Sequence, residues 1–149
     1  MFCNGTVDIL ASDHAPHTLE EKTASNAWKA ASGVPGLETS LPVLFTQVAG
    51  GKITLKRLVD ATSTMPARIF RLKRKGVLKE GFDADIVLVD PKAKLKIKPE
   101  RFVSKAKHSP FKGQLCLGRA AYTIVNGTLV AERGRILGPA AGKIVKSDS

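Results

Sequence analysis

The sequence is poor in several residue types whose scarcity narrows what it can be. It holds two cysteines, three histidines, one tryptophan and one tyrosine in 149 residues. Cys3 and Cys116 have no CxxC spacing and offer no disulfide framework; both read as free thiols filling apolar space. No stretch approaches the roughly 18 consecutive apolar residues of a membrane span, which excludes a membrane reading. The opening MFCNGTVDILASD lacks the basic segment, apolar core and small-residue cleavage site of a signal peptide, so a cytoplasmic location is expected. Acidic residues are also scarce, 13 against 24 Lys and Arg, for a net charge of +11 and a pI near 10.0. Such a charge attracts polyanions. The basic residues, however, are dispersed over Lys73–Lys79, Lys92–Lys98 and Lys105–Lys112, and so few large aromatics make a poor stacking surface for single strands. No nucleic-acid motif is visible, so the charge reads as a solvated basic surface with no nucleic-acid function.

What is present is the composition of a soluble globular protein, 43% hydrophobic and 25% charged, at a length that suits one domain or part of a larger one. Thr6 to Ser12 (TVDILAS) reads as a short buried strand. Thr18 and Glu21 have capping-box spacing, and Asn26 to Gly36, with Gly33, Pro35 and Gly36, have loop composition. Leu37, Leu41, Leu44 and Val48 recur at helical spacing, with Pro42 near the start and Gly50-Gly51 as the stop. A second helix is expected from Thr54 with Leu55, Leu58 and Val59 facing inward, and a third from Ser63 or Thr64 with Pro66 in its first turn. Beyond Lys75 the pattern turns to strands: Asp83–Asp90, the alternating Lys94–Lys98, and two runs flanking Asn126-Gly127, the signature of a type I′ hairpin. A boundary near residue 75 therefore divides a β/α part, 1–75, from an all-β part, 76–149.

The stretch ILASDHAPHTLEEK, residues 9–22, gathers an acid and two of the three histidines at the end of the expected strand. A carboxylate at the C-terminal end of a buried strand sits on the usual active-site face of a β/α barrel. There Asp13 could bind a divalent metal through one oxygen and take a proton from water with the other. The Ala15-Pro16 step stiffens the turn and would aim His17 at an anionic substrate. The plainer reading also stands: Asp13 caps a backbone N–H while both histidines face water. A metal site needs about three or four protein ligands, more than this stretch offers. His108, beside Ser109-Pro110, reads as a surface or loop residue.

Four blocks resemble the C-terminal third of a dihydroorotase of the amidohydrolase superfamily, beginning at about Gly5. They are Ser12–His17 (SDHAPH), Ser32–Thr39 (SGVPGLET), Pro66–Phe70 with Lys75–Asp90, and Ser109–Gly113 leading to Tyr122–Gly127. The third is shared across cyclic amidohydrolases, while the first two in this order are more specific. Allantoinases and hydantoinases usually lack the Ala-Pro-His that follows Asp13, which favours dihydroorotase.

The resemblance implies an α/β fold. Residues 1–75 would supply the last strand, substrate loop and helices of a TIM-type barrel, and 76–149 part of a small β-sandwich. It implies reversible hydrolysis of the cyclic amide of dihydroorotate to carbamoyl aspartate, in pyrimidine synthesis, at a site of one or two zinc ions. Asp13 would be metal ligand and general base, His17 would contact the substrate carboxylate, and the backbone around Pro35 and Gly36 would meet the pyrimidine ring, where glycine permits close approach. His14 is expected to shape the turn. Most metal ligands of the family lie upstream of the block that opens this chain, and a complete barrel takes about 250 residues. The chain is therefore expected to be a C-terminal portion, inactive alone, with exposed strand edges and with Leu41, Leu44, Leu55 and Leu58 short of partners. A homo-oligomer or an aspartate transcarbamoylase partner is compatible with the family. The rival readings are another cyclic amidohydrolase, of allantoinase or hydantoinase type, and a noncatalytic dihydroorotase-like subunit.

Overall fold

The computed structural model describes residues 2, 4–23, 25–26, 28–139 and 141–146. Cys3 lies outside the described residues. Among the described residues the α-helices all precede residue 70 and the strands all follow residue 85, with one 3₁₀ turn at Pro99–Arg101 between the first two strands. They are α1 (Leu19–Lys22), α2 (Ser40–Ala49), α3 (Leu55–Val59) and α4 (Met65–Ile69), then β1 (Ile86–Lys96), β2 (Leu115–Val125), β3 (Thr128–Glu132) and β4 (Arg135–Ile136). This mixture of helices and sheet is the expected α/β composition.

Local chemistry sets most boundaries. Thr18 caps α1 through a complete capping box, its hydroxyl accepting from the Glu21 amide and the Glu21 carboxylate accepting from the Thr18 amide. Pro42 occupies the first turn of α2, where its missing N–H would have had no helical partner. Gly51, at φ +70, takes the left-handed turn that ends the helix. Thr54 caps α3 by accepting from the Arg57 amide at 3.1 Å.

The second and third expected helices are in fact one continuous run. A π turn over Asp60–Thr64 joins α3 to α4, with the Met65 amide donating to the Asp60 carbonyl five residues back. The wide turn precedes Pro66, which has no N–H to continue the ordinary ladder. Of the three residues expected to face inward, only Leu58 is buried; Leu55 and Val59 are exposed.

The expected strand over Thr6–Ser12 is not formed. A strand needs neighbours to satisfy its backbone, and here the Leu10 amide reaches the Ala61 carbonyl while His14 makes a single parallel bridge with Val34. The two β runs of residues 83–98 merge instead into one strand, β1, with an irregularity at Pro91. There the Asp90 carboxylate accepts from the Lys92 and Ala93 amides, closing a local turn inside the strand. The antiparallel sheet runs in the order β1-β2-β3-β4. Asn126 and Gly127 both have positive φ, 48 and 79, as a type I′ hairpin requires. Arg133-Gly134 makes a second turn with the same sign pattern, φ 47 and 85, which the sequence did not advertise.

The core is small. Ile97, Phe102 and Cys116 are buried together, with Val43 and Phe111 packed on them. Cys116 is free and fully buried, the apolar filler expected of it. Helix α2 lies on β2: a Cβ at Gly118 would stand 2.4 Å from Phe45 Cδ1, so the Phe45 ring occupies the space a side chain would take. The Thr46 hydroxyl completes the contact, accepting from the Leu117 amide at 2.8 Å. His108 is a loop residue, as expected, but not a surface one, because both ring nitrogens are buried without a partner among the described residues.

Candidate active site

The DHAPH stretch and the SGVPG loop, twenty residues apart in sequence, lie edge to edge. Glycine makes the approach possible. A Cβ at Gly33 would come within 2.6 Å of Ala15 Cβ, and one at Gly36 within 2.7 Å of Ser12 Cβ. The Ala15 amide donates to the Val34 carbonyl at 3.1 Å. Lys22, at the end of α1, closes the other side by donating to the carbonyls of Ala31 (2.9 Å) and Gly33 (2.7 Å). Pro35 is fully buried and Gly36 is buried beside it.

Asp13 is exposed and sits at φ 38, in the left-handed region. Asp tolerates that region better than most residues, and such outliers cluster at functional sites. His17 turns its Nδ1 to the Glu21 carboxylate at 3.2 Å and keeps its side chain 40% exposed. Glu21 in turn meets Lys105 at 3.3 Å. The Thr18 amide, and after it Lys105, hold the Glu21 carboxyl below the usual carboxylate range.

The sequence had left His14 with a turn-shaping role, and the structure makes that role specific. Its Nδ1 accepts from two successive amides, Gly36 at 3.1 Å and Leu37 at 3.2 Å. Its Nε2 stands 3.5 Å from the Ser104 hydroxyl. Ser104 donates to Glu38 at 2.8 Å, and Glu38 also accepts from the amides of Val103 (2.9 Å) and Ser104 (3.0 Å). Burial pushes the Glu38 carboxyl up, but these hydrogen bonds outweigh it and hold the group below its ordinary range. Glu38, Ser104 and Lys105 escaped sequence reasoning. Glu38 stood inside a quoted block without a role, and Ser104 is 90 positions from His14, beyond any local pattern.

The amidohydrolase family model matches residues 1–130. The chain belongs to the amidohydrolase family. Among relatives, this amidohydrolase chain is 47% identical over 133 residues to the dihydroorotase of Bacillus caldolyticus, covering 89% of this chain and 31% of that protein. It is 44% identical over 125 residues to the dihydroorotase of Methanosphaera stadtmanae, covering 84% and 29%. Among solved structures it superposes on an L-hydantoinase (dihydropyrimidinase) from Arthrobacter aurescens with a TM-score of 0.85 at 40% identity, covering 92% of this chain and 31% of that one. A D-hydantoinase (dihydropyrimidinase) from Thermus sp. gives 0.88 at 29% identity, covering 93% and 31%. The chain thus spans less than a third of the length of these four relatives.

A metal centre does not fit within this stretch. No group of three or more His, Cys, Asp or Glu that could hold an ion occurs among the described residues. Asp13 alone is one ligand of the three or four required. No helix among the described residues is long and apolar enough to cross a membrane.

Proposed function

We propose that this chain is the part of a dihydroorotase that supplies Asp13, His17 and the Pro35-Gly36 loop to the active site. The observation that carries this reading is the seating of the SDHAPH stretch against the SGVPG loop, in a chain 44% to 47% identical to dihydroorotases. Residues 1–75 are assigned to a β/α barrel and 76–149 to the accompanying β domain, in a cytoplasmic protein. In hydrolysis of a cyclic amide, water adds to the carbonyl carbon and the ring C–N bond breaks. Asp13 takes the proton from the attacking water and returns it to the leaving nitrogen. His17, fixed at Nδ1 by Glu21, presents Nε2 to the substrate carboxylate. In the loop, the Gly36 amide is spent on His14 and its carbonyl accepts from Thr39 and Ser40, and the backbone around Pro35 and Gly36 is assigned to the edge of the site that meets the substrate ring. Zinc is part of the proposal only as a group whose remaining ligands lie outside this stretch.

The test uses the longer protein that carries this chain, assayed against dihydroorotate, hydantoin, dihydrouracil and allantoin. Dihydroorotate should be the preferred substrate. Asp13→Asn should lower kcat by about a thousandfold or more, the range of losses when a general base is removed together with its other roles. His17→Ala should raise KM for dihydroorotate while sparing substrates that have no carboxylate. Preference for hydantoin, with His17→Ala equally harmful to all four, would favour the second reading, a hydantoinase-type enzyme, which the solved structures support by their likeness.

A further inference from the structure

The hydrogen bonds around His14 form a directional chain that the reaction itself does not use. Nδ1 accepts from the amides of Gly36 and Leu37 and so carries no proton, which leaves the proton of the neutral ring on Nε2, facing the Ser104 oxygen at 3.5 Å. Ser104 can accept there because its own proton goes to Glu38 at 2.8 Å. Glu38 ends the chain as a pure acceptor, taking the Val103 and Ser104 amides as well. Each link is oriented by the next, and the chain crosses from the all-β part to the backbone of the loop beside Asp13. Nothing local requires this. Glu38 could point to solvent, and the Leu37 amide, on an exposed residue, could face water.

We propose that His14, Ser104 and Glu38 are positioning residues, a relay by which residues 103–104 hold the Gly36–Leu37 backbone and thereby fix the substrate loop beside Asp13. The proposal rests on the reading that this loop binds the ring. It assigns His14 no contact with substrate, although it lies next to the proposed base.

The experiment is done in the longer protein with His14→Leu, His14→Asn, Ser104→Ala and Glu38→Gln. His14→Leu removes the acceptor, whereas the amide oxygen of Asn lies near the position of Nδ1 and can take both amides. A loop that contacts substrate equally in ground and transition states changes KM rather than kcat. His14→Leu should raise KM about tenfold with kcat within about threefold, and His14→Asn should restore most of the loss. Ser104→Ala and Glu38→Gln should raise KM in the same direction, and adding Glu38→Gln to His14→Leu should cost little more, because both break one chain. Amide hydrogen exchange gives a readout that needs no activity: Gly36 and Leu37 should exchange faster in His14→Leu and Ser104→Ala, and not in His14→Asn. Unchanged exchange at Gly36 and Leu37, or strictly additive effects of His14→Leu and Glu38→Gln, would overturn the relay. Exchange that follows the expected pattern in a protein inactive on every cyclic amide would keep the relay and overturn the functional reading. Should His14→Leu fail to fold, Ser104→Ala decides, since it removes the middle link alone.

Discussion

Gly36 has little freedom in the candidate site. A methyl group there would stand 2.7 Å from Ser12 Cβ and 3.3 Å from the Ser12 carbonyl oxygen, contacts the backbone of the DHAPH stretch cannot relieve by rotating a side chain. Its φ is not in the left-handed region, so the constraint is close approach rather than backbone strain. Gly36→Ala should therefore push the two arms of the site apart, at a cost of about 1–3 kcal/mol typical of overpacking. Thermal unfolding of the longer protein measures that cost, and a variant as stable as the parent with unchanged KM would show that the loop yields freely. At this scale the sequence was informative about which residues gather: Asp13, His14, His17, Pro35 and Gly36 were all conspicuous. It was silent about who holds them. Lys105 meets Glu21 across 84 positions and Ser104 meets Glu38 across 66, and no periodicity or short motif encodes contacts at such separations.

Elements are stitched together here by a few ionic links, and the best defined sits between the end of α4 and the β hairpin. Lys75 meets Asp83 at 3.1 Å and also pairs with Asp85, its side chain only 18% exposed. Asp85 accepts in turn from the Asn126 amide at 2.8 Å, and the Gly127 amide donates to the Ala84 carbonyl, anchoring the type I′ turn to the start of β1. The Lys75 ammonium is held above its usual value by its bond to Asp85, against the opposing effect of burial. Its partner's carboxyl is held below the usual range by Lys75 and then by the Asn126 amide. Both shifts favour the charged pair in the folded state. The contribution is complete between the ordinary carboxylate value of about 3.9 and the ordinary lysine value of about 10.4. It is lost as pH falls through the lowered value of Asp85 or rises through the raised value of Lys75. Lys75→Met should cost about 1–2 kcal/mol at neutral pH in urea unfolding, a figure reduced for the partial exposure of the acids. The gap between variant and parent should shrink as the solution is acidified below the ordinary carboxylate value and close once pH has fallen through the lowered value of Asp85; a gap that persists below that lowered value would mean that Lys75 acts through packing. Among the elements themselves, those governed by local chemistry were legible. The capped helices from Thr18 and Thr54 and the Asn126-Gly127 hairpin all carry their instructions within four residues. The strand over 6–12 was misread because strand formation depends on neighbours, which the described residues do not provide. The helix run 54–69 was divided at Ser63 or Thr64, just before Pro66, because a π turn leaves no mark in the apolar pattern.

The whole molecule buries little of what it carries. Beyond the cluster of Ile97, Phe102 and Cys116, large apolar residues stand exposed across the surface, Leu55, Phe70, Leu78 and Val87 among them. The expectation that four leucines would lack partners holds in part: Leu58 is buried, Leu41 and Leu44 are half-buried, and Leu55 is 53% exposed. Helices α2 to α4 and strand β1 enclose an open apolar groove of about 850 Å³, lined by Phe45, Leu55, Leu58, Pro66, Val77 and Val87 among others. Patches of this kind on a soluble surface are sites of association or aggregation. The relatives are more than three times as long as the part this chain matches, so in such proteins further chain is available to cover the groove. The 149-residue chain alone should therefore bind a hydrophobic dye strongly and self-associate as its concentration rises, whereas the longer protein should do neither. Leu55→Lys combined with Val87→Lys tests the location of the effect. Both side chains are about half exposed, so their replacement should change stability by no more than about 0.5 kcal/mol each, while dye binding and self-association of the isolated chain fall together. In the longer protein the same pair should be costly, because the two lysines would then be buried without partners. Equal tolerance in both proteins would show that the groove remains open to solvent in the longer one.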